Sequence, residues 1–114
     1  MRETKNMIFI DIEEFYEKAS AYARLTRQEE IEYAKAMNAG DTTAREKLIQ
    51  SYIPMVAGYI KHMKPHLRTL GLALYCMQAL EKAVDSFDFL QDCEPFSHRM
   101  CWWLRQAVAN FIVR

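Results

Sequence analysis

The sequence has few of the residues that make tight turns. Glycine and proline occur only three times each in 114 residues, and no Asn-Gly, Asp-Gly or Gly-Gly pair marks a short hairpin. A domain built from many short strands needs a turn about every 8–12 residues. The shortage therefore argues against such a domain and favours a few long helices.

Cysteine and long apolar runs are also scarce. Cys76, Cys93 and Cys101 are odd in number and lack Cys-x-x-Cys spacing, which argues against a disulfide framework and predicts a reducing, cytoplasmic location. No apolar run approaches the roughly 20 residues that span a membrane, so we expect no membrane partner. No Ser-His-Asp pattern, phosphate loop or paired carboxylate site stands out. We therefore predict no enzyme activity, catalytic residue, metal site or cofactor.

The chain also has no net formal charge, because 15 basic residues balance 15 acidic ones. The total therefore gives no sign of a nucleic-acid partner, but the distribution does. Ten of the fifteen acids lie in residues 1–46, none lies between Glu46 and Glu81, and none follows Pro95. The chain is acidic at its start and locally basic later.

Apolar residues recur at helical spacing through most of the chain, and this periodicity predicts an all-α fold. We expect one compact domain over residues 11–114, preceded by a flexible leader over residues 1–10. The domain should hold five or six helices, at about 11–22, 27–38, 43–63, 70–87 and 97–114.

Capping residues mark several of the predicted helix starts. Thr26 and Thr43 each stand three residues before a glutamate and predict capping boxes. Ser97 is the predicted N-cap of the last helix. Pro54 lies inside the third apolar stripe and leaves two alternatives, a kinked helix or a new helix capped by Ser51.

The last predicted helix holds both tryptophans of the chain, side by side. Neighbours lie about 100° apart around a helix, so only one of them can face the core. If Trp103 points inward, Trp102 lies at the boundary or outside, near Arg105 and Gln106. That group suits a nucleic acid, because an indole stacks on a base, arginine contacts phosphate and an amide reads a base edge. Alternatively, the second tryptophan packs on a partner helix.

Short motifs follow one another along the chain in a distinctive order. They are Leu25–Ile31, Ala39–Asp41, Ala44–Ile49, Lys-Ala-Val-Asp-x-Phe at 82–87, Phe-Ser at 96–97 and Trp-Trp-Leu-Arg-Gln-Ala-Val at 102–108. In this order and at this spacing they resemble the conserved second domain of bacterial RNA polymerase sigma factors. The resemblance covers about residues 11–112, nearly the whole chain.

The resemblance implies a compact helical domain with two binding surfaces. The helix at 97–113 would face the −10 element of promoter DNA and hold unpaired bases of the non-template strand. Its expected DNA contacts are Arg99, Trp102, Trp103, Arg105 and Gln106. The helix at 70–87 would dock on the clamp helices of the largest polymerase subunit. Its expected partner contacts are Gly71, Leu74, Tyr75 and Gln78.

The chain departs from the family's pattern on both surfaces. Gly71, Leu74 and Tyr75 stand where the family usually has Asp, Gln and Glu, which removes charge and adds apolar surface. Arg99 stands where the family has a tyrosine that stacks on a flipped adenine. These departures leave an alternative open, a degenerate sigma-like interaction module that has lost promoter melting. Such a module would bind an anti-sigma protein or a second copy through the helix at 70–87.

Overall fold

The structure, a computed structural model, describes residues 11–90 and 95–113 and is all-α over these residues. The predicted leader, part of the predicted loop at 88–95 and Cys93 lie outside them. The elements are α1 (Ile12–Ala19), α2 (Arg27–Asn38), α3 (Thr42–Ser51), α4 (Ile53–Lys61), a 3-10 turn (Pro65–Leu67), α5 (Leu70–Ser86) and α6 (Phe96–Val113). The prediction of an all-α bundle of five or six helices is confirmed.

Four of the described helices begin at side-chain caps. Asp11 caps α1 by accepting a hydrogen bond from the Glu14 amide. Thr26 caps α2 in a complete capping box with Glu29. The hydroxyl of Thr69 accepts a hydrogen bond from the Leu72 amide at the start of α5. Asp41, not Thr43, caps α3, because its carboxylate accepts the amides of Thr43 and Ala44. The capping box predicted at Thr43 is therefore wrong, since Thr43 already lies inside the helix.

Two further details of the helix ends differ from the predictions. The first helix ends at Ala19 rather than near residue 22. Helix α6 begins at Phe96, so Ser97 lies in its first turn and the prediction that Ser97 is the N-cap is wrong. Gly40 follows the end of α2 with φ +103°, a left-handed conformation that glycine adopts without strain.

Pro54 separates α3 from α4. The break falls at Tyr52, and Pro54 occupies the first turn of α4, where a missing amide costs little. The structure therefore favours a new helix over a kinked one. Ser51 does not cap it, because its hydroxyl donates to the Leu48 carbonyl instead.

All six helices contribute to one core. Its fully buried side chains include Phe15, Leu48, Ile53, Ile60, Leu72, Leu80, Met100 and Leu104. An aromatic cluster of Tyr52, Phe87, Phe89 and Phe96 joins the core at the start of α6, with ring centroids 4.7–5.1 Å apart. Burial of such rings contributes about 1.5–3 kcal/mol each, so this cluster anchors the first turn of α6 to α4 and to the end of α5.

Buried polar groups connect the same region to α2. The hydroxyl of Tyr52 donates to the buried carboxylate of Glu30, and Arg27 lies 3.5 Å from that carboxylate. Arg27 also donates to the carbonyl of Phe89 at 3.2 Å. Desolvation, followed by the contact with Glu30, raises the pKa of Tyr52. Tyr52 therefore stays protonated and keeps its hydrogen bond.

Helix α5 contacts α1, α3, α4 and α6 and packs most extensively on α6. Over the residues described, no helix is long and apolar enough to cross a membrane.

Candidate nucleic-acid interface

Helix α6 has one buried face and one wide exposed face. The buried face carries Phe96, Met100, Leu104 and Ala107, spaced by three or four residues. Trp103 and Phe111 are partly buried at its margins. The exposed face carries Trp102, whose exposed fraction is 51%. The structure realises the arrangement in which Trp103 turns towards the core and Trp102 lies outside.

The two indoles form a perpendicular pair. Their ring centroids are 5.5 Å apart and their planes meet at 90°, an edge-to-face arrangement that is favourable for aromatic rings. Trp103 therefore supports Trp102 from the side and leaves its outer surface open. An exposed ring held in this way is suited to stacking on a flat ligand.

The charged residues that α6 itself places near Trp102 are of one sign. Arg99 and Arg105 are exposed, and α6 contains no acidic residue between Phe96 and Val113. Arg105 and Gln106 lie on opposite sides of Trp102, because they follow it by three and four residues on a helix. Trp102 thus stands between a cationic side, at Arg105, and an amide side, at Gln106.

The amide side of α6 faces α5 across a groove. This α5–α6 groove has a volume of about 140 Å³ and is lined by Tyr75, Gln78, Ala79, Lys82, Trp103, Gln106, Ala107 and Asn110. Tyr75 and Gln78 are expected polymerase contacts, whereas Trp103 and Gln106 are expected DNA contacts. The fold therefore brings parts of the two predicted surfaces together, and leaves Arg105 outside the groove.

The predicted apolar surface on α5 is smaller than the sequence indicates. Leu74 is exposed, with an exposed fraction of 43%. Tyr75 is only partly buried but packs edge-on against Phe111 of α6, with ring centroids 5.7 Å apart. Gly71 is exposed next to the same ring, and a Cβ at this position would lie 3.5 Å from Phe111 Cζ. Of Leu74 and Tyr75, therefore, only Leu74 forms a freely exposed apolar surface.

Two polar residues of the groove were not predicted. Lys82 of α5 and Asn110 of α6 follow the predicted Gln78 and Gln106 by four residues. Residues four apart lie on the same side of a helix, so this spacing is the signal that identifies them.

A second cleft lies at the start of α6. It has a volume of about 250 Å³, and Arg24 and Arg27 line it together with Glu30, Tyr52 and Ser97. The guanidinium of Arg24 lies 6.0 Å from the ring centroid of Tyr52. Neither arginine was predicted as a site residue, because each comes from the beginning of the chain and reaches α6 only through the tertiary fold.

The chain was compared with known proteins. No family model matches it. Over 89 residues, or 77% of its length, it is 35% identical to the RNA polymerase sigma factor SigA of Listeria monocytogenes and to that of Listeria innocua. It is 34% identical to SigA of Clostridium acetobutylicum over the same share of its length.

The chain is a distant relative of the RNA polymerase sigma factors. This sigma-factor relative spans about a quarter of the length of the curated relatives it matches, 24% of the Listeria proteins and 23% of the Clostridium protein.

Proposed function

We propose that this chain acts in transcription initiation, binding the −10 element of a promoter and the clamp helices of RNA polymerase as the second domain of a sigma factor does. The observation that carries the proposal is the outward position of Trp102 on an acid-free helix face, between Arg105 and Gln106. The relationship to sigma factors supports the same function.

On this proposal, α6 holds one edge of an opened duplex. Trp102 stacks on the last base pair or on an unpaired base, and Trp103 braces it from the side. Arg105 contacts a phosphate, Gln106 reads a base edge and Arg99 lies one turn earlier on the same exposed face. Unstacking a base costs a few kcal/mol, and one stacking contact returns about 1–3 kcal/mol, so Trp102 offsets a large part of the cost.

The clamp helices bind the outer surface of α5 in this proposal. Gly71, Leu74 and Gln78 are exposed there, and Tyr75 lies at its margin beside α6. Leu74 supplies apolar contact area in place of the charge that the family usually carries. The α5 surface and the face around Trp102 belong to neighbouring helices, so DNA and polymerase can be bound together.

The test is a fluorescence anisotropy titration of a labelled single-stranded oligonucleotide that carries a −10-like sequence. It is measured with the full chain, with and without a polymerase clamp fragment. We expect Trp102→Ala to weaken binding by about five- to a hundredfold, which corresponds to one stacking contact. Ile112→Ala is the matched control, because Ile112 is exposed at the far end of the same helix. Equal loss in both variants would contradict the proposal.

The exposed Leu74 favours a second candidate, a sigma-like interaction module without promoter binding. Such a module would show no preference for the −10-like strand and would bind a second copy or another protein through α5. Sedimentation of the wild type and of Leu74→Gln distinguishes the two functions. Concentration-dependent association that Leu74→Gln abolishes, together with absent DNA binding, supports the module.

A further inference from the structure

An open cleft lies between α1 and the end of α4. Its volume is about 590 Å³. Its lining residues, four of which are acidic, are Asp11, Glu13, Glu14, Tyr16, Glu17, Ser20 and Lys61. Glu13 and Glu17 are exposed, and neither carboxylate forms a hydrogen bond or an ion pair within residues 11–90 and 95–113. This cleft, which we call the acidic cleft, therefore carries negative charge that the fold does not pair.

The acidic cleft also contains a polar atom without a partner. The hydroxyl of Tyr16 is buried and has no hydrogen-bond partner in the part of the chain that the structure describes. The ammonium group of Lys61 lies 4.9 Å from the centroid of the Tyr16 ring, over one face of it. A buried hydroxyl without a partner is costly, so a second molecule that brings a polar group to it gains binding energy.

A basic segment lies next to the acidic cleft. Residues 61–68, which we call the basic loop, run from the last residue of α4 towards α5 and contain Lys61, His62, Lys64, His66 and Arg68. The loop adjoins the cleft, because Lys61 lines the cleft and the charge of Arg68 opposes the rise in the pKa of Tyr16 that burial causes. Lys64 and His66 are exposed, and over the described residues their side chains form no hydrogen bond or ion pair.

The arrangement of these charges is self-complementary. The acidic cleft and the basic loop lie side by side on one molecule, so a two-fold rotation can place the loop of each copy against the cleft of the other. Each ion pair in such an interface is formed twice. The chain has no net formal charge, so two copies do not repel each other as whole molecules. A second copy therefore matches both charged patches at once, whereas an acidic or a basic partner matches only one.

We propose that the acidic cleft and the basic loop form a two-fold interface between two copies of this chain. Lys64 and His66 of one copy lie against Glu13 and Glu17 of the other. Exposed ion pairs each contribute little, so the dimer is weak and sensitive to salt.

This interface goes beyond the proposed function, because it uses a different part of the molecule. Helix α1 packs on α4 and α5, whereas Trp102 is exposed on α6. The interface also differs from association through Leu74, which lies on α5. A dimer formed in this way carries two copies of the exposed α6 face.

The first test measures association of the unmodified chain. Sedimentation equilibrium over a range of protein concentrations is run at ionic strengths of about 0.01 M and about 1 M, at which the screening lengths are about 30 Å and about 3 Å. We expect a monomer–dimer equilibrium whose dissociation constant rises by at least about tenfold at the higher ionic strength. A chain that stays monomeric at the lower ionic strength, or that dimerises equally at both, overturns the proposal.

The second test exchanges the charges of the two patches. Glu13→Lys with Glu17→Lys reverses the cleft, and Lys64→Glu with His66→Glu reverses the loop. Each variant alone should be monomeric, because like charges then face each other. An equimolar mixture should form a heterodimer, because both contacts again join opposite charges, and its formation also shows that both variants fold.

The controls for the exchange are Glu32→Lys on α2 and Lys47→Glu on α3, which are exposed changes away from both patches. They should leave the dissociation constant unchanged. Dimers of either charge-reversed variant alone, or no heterodimer from two variants that have the circular dichroism of the wild type, contradict the interface.

The third test separates the interface from the other two surfaces. Trp102→Ala and Leu74→Gln should both dimerise as the wild type does. If the chain dimerises without binding the −10-like strand, the proposed function falls and the interface stands. If Leu74→Gln abolishes association and the charge-reversed variants keep it, association belongs to α5 and the interface proposal falls.

Discussion

Helix α5 has one side that faces α3, the α3 edge, and one that faces α6, the α6 edge. The polar side chains of the two edges differ in whether they are paired within the fold. On the α3 edge, Arg45 reaches across and bonds Asp85 through Nε at 2.6 Å and Nη2 at 2.9 Å. The same guanidinium lies 3.6 Å from Glu81 and from Glu46. The hydrogen bond with Asp85 raises the pKa of Arg45, despite partial desolvation.

On the α6 edge, aromatic contacts hold the helices together. Tyr75 packs on Phe111, and the carboxamides and Lys82 of the groove have no bonding partner in the described part of the chain. An edge whose charged groups are paired with one another stabilises the fold. An edge whose polar groups are left unpaired is available for binding. The two sides of α5 therefore differ in that one has its charged groups paired within the fold and the other leaves polar groups available.

The largest effect that we expect from a single substitution at neutral pH comes from removing the arginine of the α3 edge. Arg45→Ala takes away the one guanidinium that faces Asp85, Glu81 and Glu46. We expect the free energy of unfolding to fall by about 2 kcal/mol, between the values for exposed and buried ion pairs, because Asp85 is half exposed. Urea denaturation measures the loss. Lys47→Ala, an exposed change on the same helix, is the control, and an equal effect there would refute a stabilising network.

The next prediction is a pH dependence of stability that comes from the buried face of α5, between its two edges. Burial raises the pKa of the Cys76 thiol to about 12. Above the thiol's ordinary pKa the unfolded chain releases a proton that the folded chain retains. We therefore expect the free energy of unfolding to fall as pH rises from about 9 towards 12, by at most about 1.4 kcal/mol per pH unit.

Urea denaturation at several alkaline pH values measures this slope. Cys76→Ala should reduce it, whereas Cys101→Ser should leave it unchanged, because Cys101 is exposed. A slope that Cys76→Ala does not alter would assign the pH dependence to another group, such as Tyr52, whose pKa burial also raises.

A smaller effect is expected for the arginine on the exposed face of α6. Arg105→Ala should weaken binding of the −10-like strand by about fivefold and lower the slope of log affinity against log salt by about one, because one phosphate contact is lost. Its free energy of unfolding should not change. Arg45→Ala should do the reverse, lowering stability and leaving the salt slope unaltered. Salt titrations of both variants check this contrast, and an unchanged slope in Arg105→Ala would remove Arg105 from the DNA contacts.

The smallest effect tests how closely α6 approaches α5. Gly71→Ala should raise the free energy of unfolding by about 0.5 kcal/mol, because alanine favours the helix and its Cβ would make an ordinary contact with Phe111. Gly58→Ala should raise the free energy of unfolding by a similar amount, although its Cβ would make no such contact. Gly40→Ala should lower the free energy of unfolding by about 1 kcal/mol, because the φ of +103° at this position strains an L-residue. Thermal unfolding compares the three, and a loss of stability in Gly71→Ala together with a gain in Gly58→Ala would mean that α5 and α6 lie closer together.

Local features of the sequence predict most of the helices. Thr26 marks the start of α2 by a capping box within three residues, and this prediction holds. Gly40 and Thr69 mark helix ends by features that are equally local. The predictions fail where two local candidates compete. Asp41 takes the cap expected at Thr43, and the helix expected to start after Ser97 starts at Phe96, whose ring is held by the aromatic cluster.

The candidate site likewise has one part that the local sequence predicts and another that only the tertiary structure decides. Helical periodicity alone separates Trp102 from Trp103, because two neighbours on a helix cannot both face the core. The α5–α6 groove has no such local cause. Its residues come from two helices, 75–82 and 103–110, and which sides of those helices meet is decided by packing around Leu72, Leu80 and Leu104. The same holds for Arg45 and Asp85, which lie 40 residues apart in the chain and meet only when the core forms.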